Sequence, residues 1–175
     1  MARIPYADTQ SAAVKPLADR IVAERGSVLH LYQMLLNSPA VAEGWLNYLT
    51  AIRQKSSLNG AIREMVIMRV ALLNRAPYEA EQHAPIALRE GMSQAQLDAL
   101  SDWEQSPLFD ERERAVLAYT DAMTRNVQVP EGVFAAVSVH FEPQQLVELT
   151  ATVAAYNMVS RFLEALQIHS HDHTA

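Results

Sequence analysis

No cysteine occurs anywhere in the 175 residues. Disulfide staples, thiolate metal sites, cysteine nucleophiles and thiol redox cycling are therefore all closed to this chain. Glycine is scarce, five in all, and no segment alternates apolar and polar residues with period two over a useful length, which argues against strand-rich architectures. There is no block of lysine and arginine, and the formal net charge is -6, so neither nucleic acid nor an anionic membrane surface is the expected partner. No run is long and charge-free enough to span a bilayer, and the opening MARIPYADTQ has no apolar signal core. The cytoplasm is the expected compartment.

What remains is a chain that is half apolar, of a length suited to one compact domain or one subunit of an assembly. The periodicity reads as all-α, a single-domain bundle of about eight helices. Residues 1–27 form an N-terminal arm and first helix, 28–168 the helical domain, and 169–175 a disordered tail. Ser38-Pro39 supplies an N-cap and a first-turn proline for a helix running to about Lys55, with Val41, Trp45, Leu49 and Ile52 as its stripe. Ser93 to Gln96 has the spacing of a capping box, and Asp110 can cap the helix that follows. The last helix, from Pro143 to about Ile168, tracks Leu146, Leu149, Val153, Tyr156, Ser160 and Leu163 along one side.

The centre of the chain is Ala61 to Gly91. Its first part, Ala61 to Leu73, is apolar on almost every side at 3.6 residues per turn and so predicts a core helix. Glu64 interrupts it, on the side of Ile67, Met68 and Ala71. A carboxylate there needs a partner or a raised pKa; it is either a chemical group or half of a structural ion pair with Arg69, Arg75 or Arg161. After a break at Asn74 to Pro77, a second helix carries Glu79 and His83 four residues apart on one face. Such a pair is either a solvated helix pair or a carboxylate that orients an imidazole for proton transfer. Two carboxylates and a histidine can also hold a divalent metal, though the spacing alone is weak support for that. Pro85 removes a hydrogen bond one turn after Glu81 and predicts a bend or a frayed bond.

Elsewhere, Asn157 and Arg161 stand one turn apart on the last helix and are either structural or a binding pair for a substrate carboxylate. Trp45, Trp103 and the methionines at 65, 68 and 158 read as core or pocket wall. His169, His171 and His173 alternate in the tail, a poor platform for a catalytic ion.

The central stretch resembles the carboxymuconolactone decarboxylase family, which shares its fold with alkylhydroperoxidase D. Redox members of that group carry Glu-x11-Cys-x2-Cys-x3-His. Placing His83 on their histidine puts Glu64 on their glutamate without a gap, while Ala76 and Glu79 stand where the cysteines would be. The non-redox branch is more similar, with Tyr78-Glu79-x3-His83 leading to Gly91-Met92-Ser93, Arg63-Glu64 opening the central helix, and Asn157 and Arg161 in the closing one. The resemblance implies a fold of the alkylhydroperoxidase D type over about residues 28–168, assembled as homo-trimers or hexamers. It implies a site without cofactor or metal, His83 as general acid and base with Glu64 and Glu79 as partners, and a small-molecule substrate met by Tyr78, Asn157 and Arg161. The activity implied is a lyase or isomerase acting on a small carboxylated lactone or unsaturated acid, or else a non-catalytic ligand-binding or assembly protein of the same fold. Thiol peroxidase activity is not carried over, because both cysteines are missing.

Overall fold

The computed structural model describes residues 1–172. Among them are nine α-helices and no strand: α1 Lys15–Arg25, α2 His30–Leu35, α3 Pro39–Thr50, α4 Gly60–Leu73, α5 Pro77–Arg89, α6 Gln94–Ala99, α7 Glu111–Asn126, α8 Glu131–Ser138 and α9 Pro143–Leu166. None of these helices is long and apolar enough to cross a membrane. The chain divides into two compact units, one made of residues 1–55 with the chain from Phe162 onward, the other of Ser56–Arg161.

In the first unit the arm of residues 1–10 is free of helix but pinned. Arg3 donates its backbone N–H to the Leu166 carbonyl at 2.9 Å, and the Tyr6 hydroxyl donates to Asp172 at 2.7 Å. The buried face of α3 is Ala42, Trp45, Leu46 and Leu49, with the Trp45 ring 5.2 Å from that of Phe162. Val41, expected on that stripe, is exposed instead: the face centres on Ala42 and Trp45, and Val41 sits 100° round the helix from Ala42. Ser38 precedes Pro39 as predicted but makes no side-chain cap bond. Beyond Thr50 the helix widens into a π turn, Ala51–Lys55. Thr50 there donates to Glu24 at 2.9 Å and accepts from Arg25 at 2.6 Å. Of the predicted tail, residues 169–172 are tied in: the His169 carbonyl lies 3.0 Å from Nδ1 of His30, and Asp172 accepts from the His169 N–H. His173 and the two residues after it lie outside the described residues.

In the second unit α4 packs against α5 and α7. Every residue from Ile62 to Ile67 is buried, as the absence of a polar face on this helix predicts. Asn59 caps it, its side-chain oxygen accepting from the Ile62 N–H at 3.1 Å. Proline at the first position opens α5. The helix runs unbroken through Pro85, which lies on its exposed side. It ends in a Schellman motif: Gly91, at φ 110°, donates to the Leu88 carbonyl and Met92 donates to that of Ala87.

Full capping boxes start α6 (Ser93 with Gln96) and α7 (Asp110 with Glu113). After α6 the chain winds on as a tight 3-10 helix over Leu100–Gln105. The physical reason lies on α7, where the Arg114 guanidinium takes the carbonyls of Trp103, Glu104 and Ser106 at 2.7–3.2 Å and steadies the turn.

Candidate active site

Glu64 points into the interior of the second unit and has no exposed surface. The chain reaches this arrangement because α4 is enclosed on every side from Ile62 to Ile67, and Glu64 lies within that stretch. The carboxylate is engaged through both oxygens. Its Oε2 lies 2.7 Å from Nδ1 of His83 on α5, and its Oε1 accepts from Nε of Arg63 at 3.2 Å. Arg63, itself 9% exposed, reaches on to Glu90 at the end of α5, Nη2 to Oε1, 3.2 Å. His83 is also buried, and Tyr156 of α9 stands edge-on to its ring at 5.1 Å and 89°.

A charge-assisted bond of 2.7 Å between two buried groups fixes both the ring's orientation and which nitrogen faces the carboxylate. With Glu64 ionised, Nδ1 carries the proton and the basic lone pair is on Nε2. The guanidinium on the other carboxylate oxygen favours that ionised form.

Glu79 lies one turn before His83 on α5 and is 2% exposed, and Tyr78 beside it is buried too. Burial of both Glu79 and His83 rules out the reading of a solvated surface pair. Among the described residues, no group of three or more acidic or imidazole side chains is placed to hold a metal ion.

Asn157 and Arg161 form a separate cluster. Asn157 donates to Thr124 Oγ1 and to the Val153 carbonyl, both at 2.9 Å, and its side-chain oxygen accepts from Asn74 at 3.0 Å and from Arg161 Nη1 at 2.9 Å. Asn74 also donates to Ser160 at 2.6 Å. Every polar atom of the Asn157 amide is thus used inside the protein. Its place in this network ties the end of α4 to α7 and α9.

The ion pairs that sequence reasoning considered for Glu64 are not the ones formed. Arg69 forks onto Asp121 of α7, Nε to Oδ1 and Nη2 to Oδ2, each 2.6 Å, and bonds the Leu100 carbonyl at 2.7 Å. Arg161 bonds Asn157. The partner is Arg63, the residue next to Glu64, which was noted in the opening of the helix but not as its ion pair.

Glu64, Glu79, His83 and Glu90 all lie within residues 39–122, the span matched by the profile of the carboxymuconolactone decarboxylase family. An Escherichia coli (strain K12) protein, the uncharacterized YnjA, is 33% identical over 127 residues, 71% of this chain and 66% of its own length. The chain belongs to the carboxymuconolactone decarboxylase family. Two solved structures share its fold. One, from Ralstonia eutropha JMP134, is described as an alkylhydroperoxidase AhpD core and peroxidase-related protein; it is 18% identical with a TM-score of 0.82, covering 98% of this chain and 93% of its own. The other is the debrominase Bmp8 in complex with 2,3,4-tribromopyrrole, 16% identical with a TM-score of 0.79, covering 95% and 92%. At these identities the likeness speaks for the fold alone. This member of the carboxymuconolactone decarboxylase family has Ala76 and Glu79 where the redox pattern has its cysteines. Asn157 and Arg161 lie outside the span that the family profile matches.

Proposed function

We propose that this chain is a decarboxylase-like lyase or isomerase, working without a cofactor by proton transfer at His83 on a small carboxylated lactone or related unsaturated acid. The observation that carries this reading is the buried 2.7 Å contact between His83 Nδ1 and Glu64 Oε2. A neutral imidazole held in this way takes a proton at Nε2, and the imidazolium that results is stabilised by the carboxylate behind it. In the lyase direction the bond from ring carbon to carboxylate breaks and carbon dioxide leaves. Its electron pair spreads into an extended enolate, and the imidazolium delivers a proton to carbon and regains one from solvent. In the isomerase direction the same ring removes the proton at one carbon and returns it at another.

Glu79 is the second acid of this site, and Tyr78 a wall that contacts substrate. Arg161 offers the guanidinium N–H groups not used on Asn157 to a substrate carboxylate, with Asn157 holding it in place. We also propose a cytoplasmic protein that assembles as a homo-oligomer, a trimer or hexamer. The test is a screen of lactone carboxylates for ligand-dependent rises in melting temperature, followed by turnover assays on the hits. Turnover by the wild type and its loss in His83→Ala is the expected result. Unchanged turnover in His83→Ala overturns the assignment of this residue, and binding without product favours a ligand-binding member of the same family.

A further inference from the structure

A buried carboxylate 2.7 Å from an imidazole poses a problem for proton transfer. Left alone, the pair has one net negative charge when the ring is neutral and none when it is protonated. In so buried a site, that difference favours the proton on the ring. A base that never releases its proton transfers none. The geometry points to Arg63 as the positioning residue that solves this. Its guanidinium, shared with Glu90, offsets part of the charge of Glu64 and so loosens the hold of the pair on the His83 proton. The proposal rests on the reading of His83 as the proton-transfer group, but its test does not.

Three observations converge on it. Arg63 bonds Glu64 on the oxygen that His83 does not use, so one carboxylate is shared between a fixed cation and a titrating ring. The same guanidinium continues to Glu90 at 3.2 Å, whose negative charge competes for it from the far side. Room for Glu90 is made by Gly60 in the first turn of α4. A side-chain carbon added at Gly60 would collide with the Glu90 carboxylate, so the absence of one is what allows the acid to lie over the start of the helix.

The other charged groups around the pair are already engaged, acidic or exposed. On α4, Arg69 is committed to Asp121 of α7. On α5 and its C-cap the charged groups besides His83 are Glu79, Glu81, Arg89 and Glu90; the three acids add negative charge, and Arg89 is exposed. On α9, Tyr156 presents a ring edge and Arg161 bonds Asn157. Arg63 is therefore the cation seen on the Glu64 carboxylate, and its effect on His83 has a definite sign. Removing it raises the pH at which the ring deprotonates. Removing Glu90 frees the guanidinium to act more fully on Glu64 and lowers that pH.

The experiment is a pH titration of the histidine ring nitrogens by NMR on the full-length 15N-labelled protein, with His83 assigned by its loss in His83→Gln. No substrate is present, so a protein that turns over no lactone still gives an answer. The expected result is a rise of about one pH unit or more in the His83 midpoint for Arg63→Gln, most of it restored by Arg63→Lys. Gly60→Ala and Glu90→Gln, which alter a flexible, partly exposed acid and leave the core intact, are expected to shift the midpoint down by a smaller amount. A His83 midpoint in Arg63→Gln equal to that of the wild type overturns the proposal. If Arg63→Gln does not fold, the other two variants decide: midpoints that do not fall in either overturn it as well.

Discussion

The contact between Glu64 and His83 can be measured as a free energy without knowing the substrate. Replace each residue by leucine, singly and together, and compare the three variants with the wild type by urea unfolding near neutral pH. Neither side chain is exposed enough for solvent to screen the bond, and at 2.7 Å it is charge-assisted, so about 2 kcal/mol of coupling is expected. Each single variant leaves half of a buried pair behind, Glu64 without the imidazole or His83 without the carboxylate. Each is therefore expected to lose about 3 kcal/mol, at the low end for a broken buried pair. The double variant should lose about 4 kcal/mol rather than the sum, because leucine against leucine leaves no orphan on that side. Arg63 loses its contact with Glu64 in both the Glu64→Leu variant and the double, so its contribution cancels in the cycle. Trp45 belongs to the first unit and Trp103 to the second, so a Trp45→Phe background makes fluorescence report the unit that holds the pair. Coupling below about 0.5 kcal/mol would mean that the imidazole and the carboxylate do not meet in solution, and the proton-transfer reading would lose its base.

Asp121→Ala strips the fork from Arg69, which is 3% exposed and keeps only carbonyl acceptors; a loss of about 3 to 5 kcal/mol is expected in chemical unfolding, and a loss under 1 kcal/mol would contradict it. Gly91→Ala places a side chain at φ 110° with no neighbour to clash, so backbone strain alone should cost about 1 to 2 kcal/mol, read as a lower melting temperature. Burial pushes the Glu148 carboxyl up, but hydrogen bonds from Gln144, Ser57 and Ser56 outweigh it and hold the group below the usual carboxylate range. The unfolded chain therefore binds this proton more readily. The stability it lends is present above the unfolded pKa and is lost as pH falls through the folded one. Glu148→Gln should flatten the acid limb of the melting-temperature profile, and an unchanged limb would refute the assignment.

Much of this fold was legible because its signals are local. A helix apolar on all sides is driven into a core, and α4 is buried from Ile62 to Ile67 and again from Arg69 to Ala71. Ser93 with Gln96, Pro77 and Gly91 each mark a helix end for a reason confined to a few residues, and each does so here. Val41 shows the limit: a stripe counted from the wrong residue is a quarter-turn off, and only packing reveals where the face is centred. Arg114 shows another, since the 3-10 turn at Leu100–Gln105 is held by a side chain on a different helix.

The site was legible in part, and the missed partner is instructive. Glu64 and His83 stood out because a carboxylate on an apolar helix and an acid-flanked imidazole are each rare enough to ask for a cause. Arg63 was passed over because adjacent residues on a helix project about 100° apart and do not ordinarily face each other. That rule describes where side chains leave the backbone, not where long ones end. A guanidinium on a three-carbon stem can fold along the helix surface, and the alternatives nearby were already claimed: Arg69 by Asp121, Arg161 by Asn157. Once α5 closes over α4, the acid at Glu90 draws the guanidinium toward the start of the helix, and the Glu64 carboxylate is within its reach on the way. The ion pair is thus a product of two helices meeting, written in neither one alone.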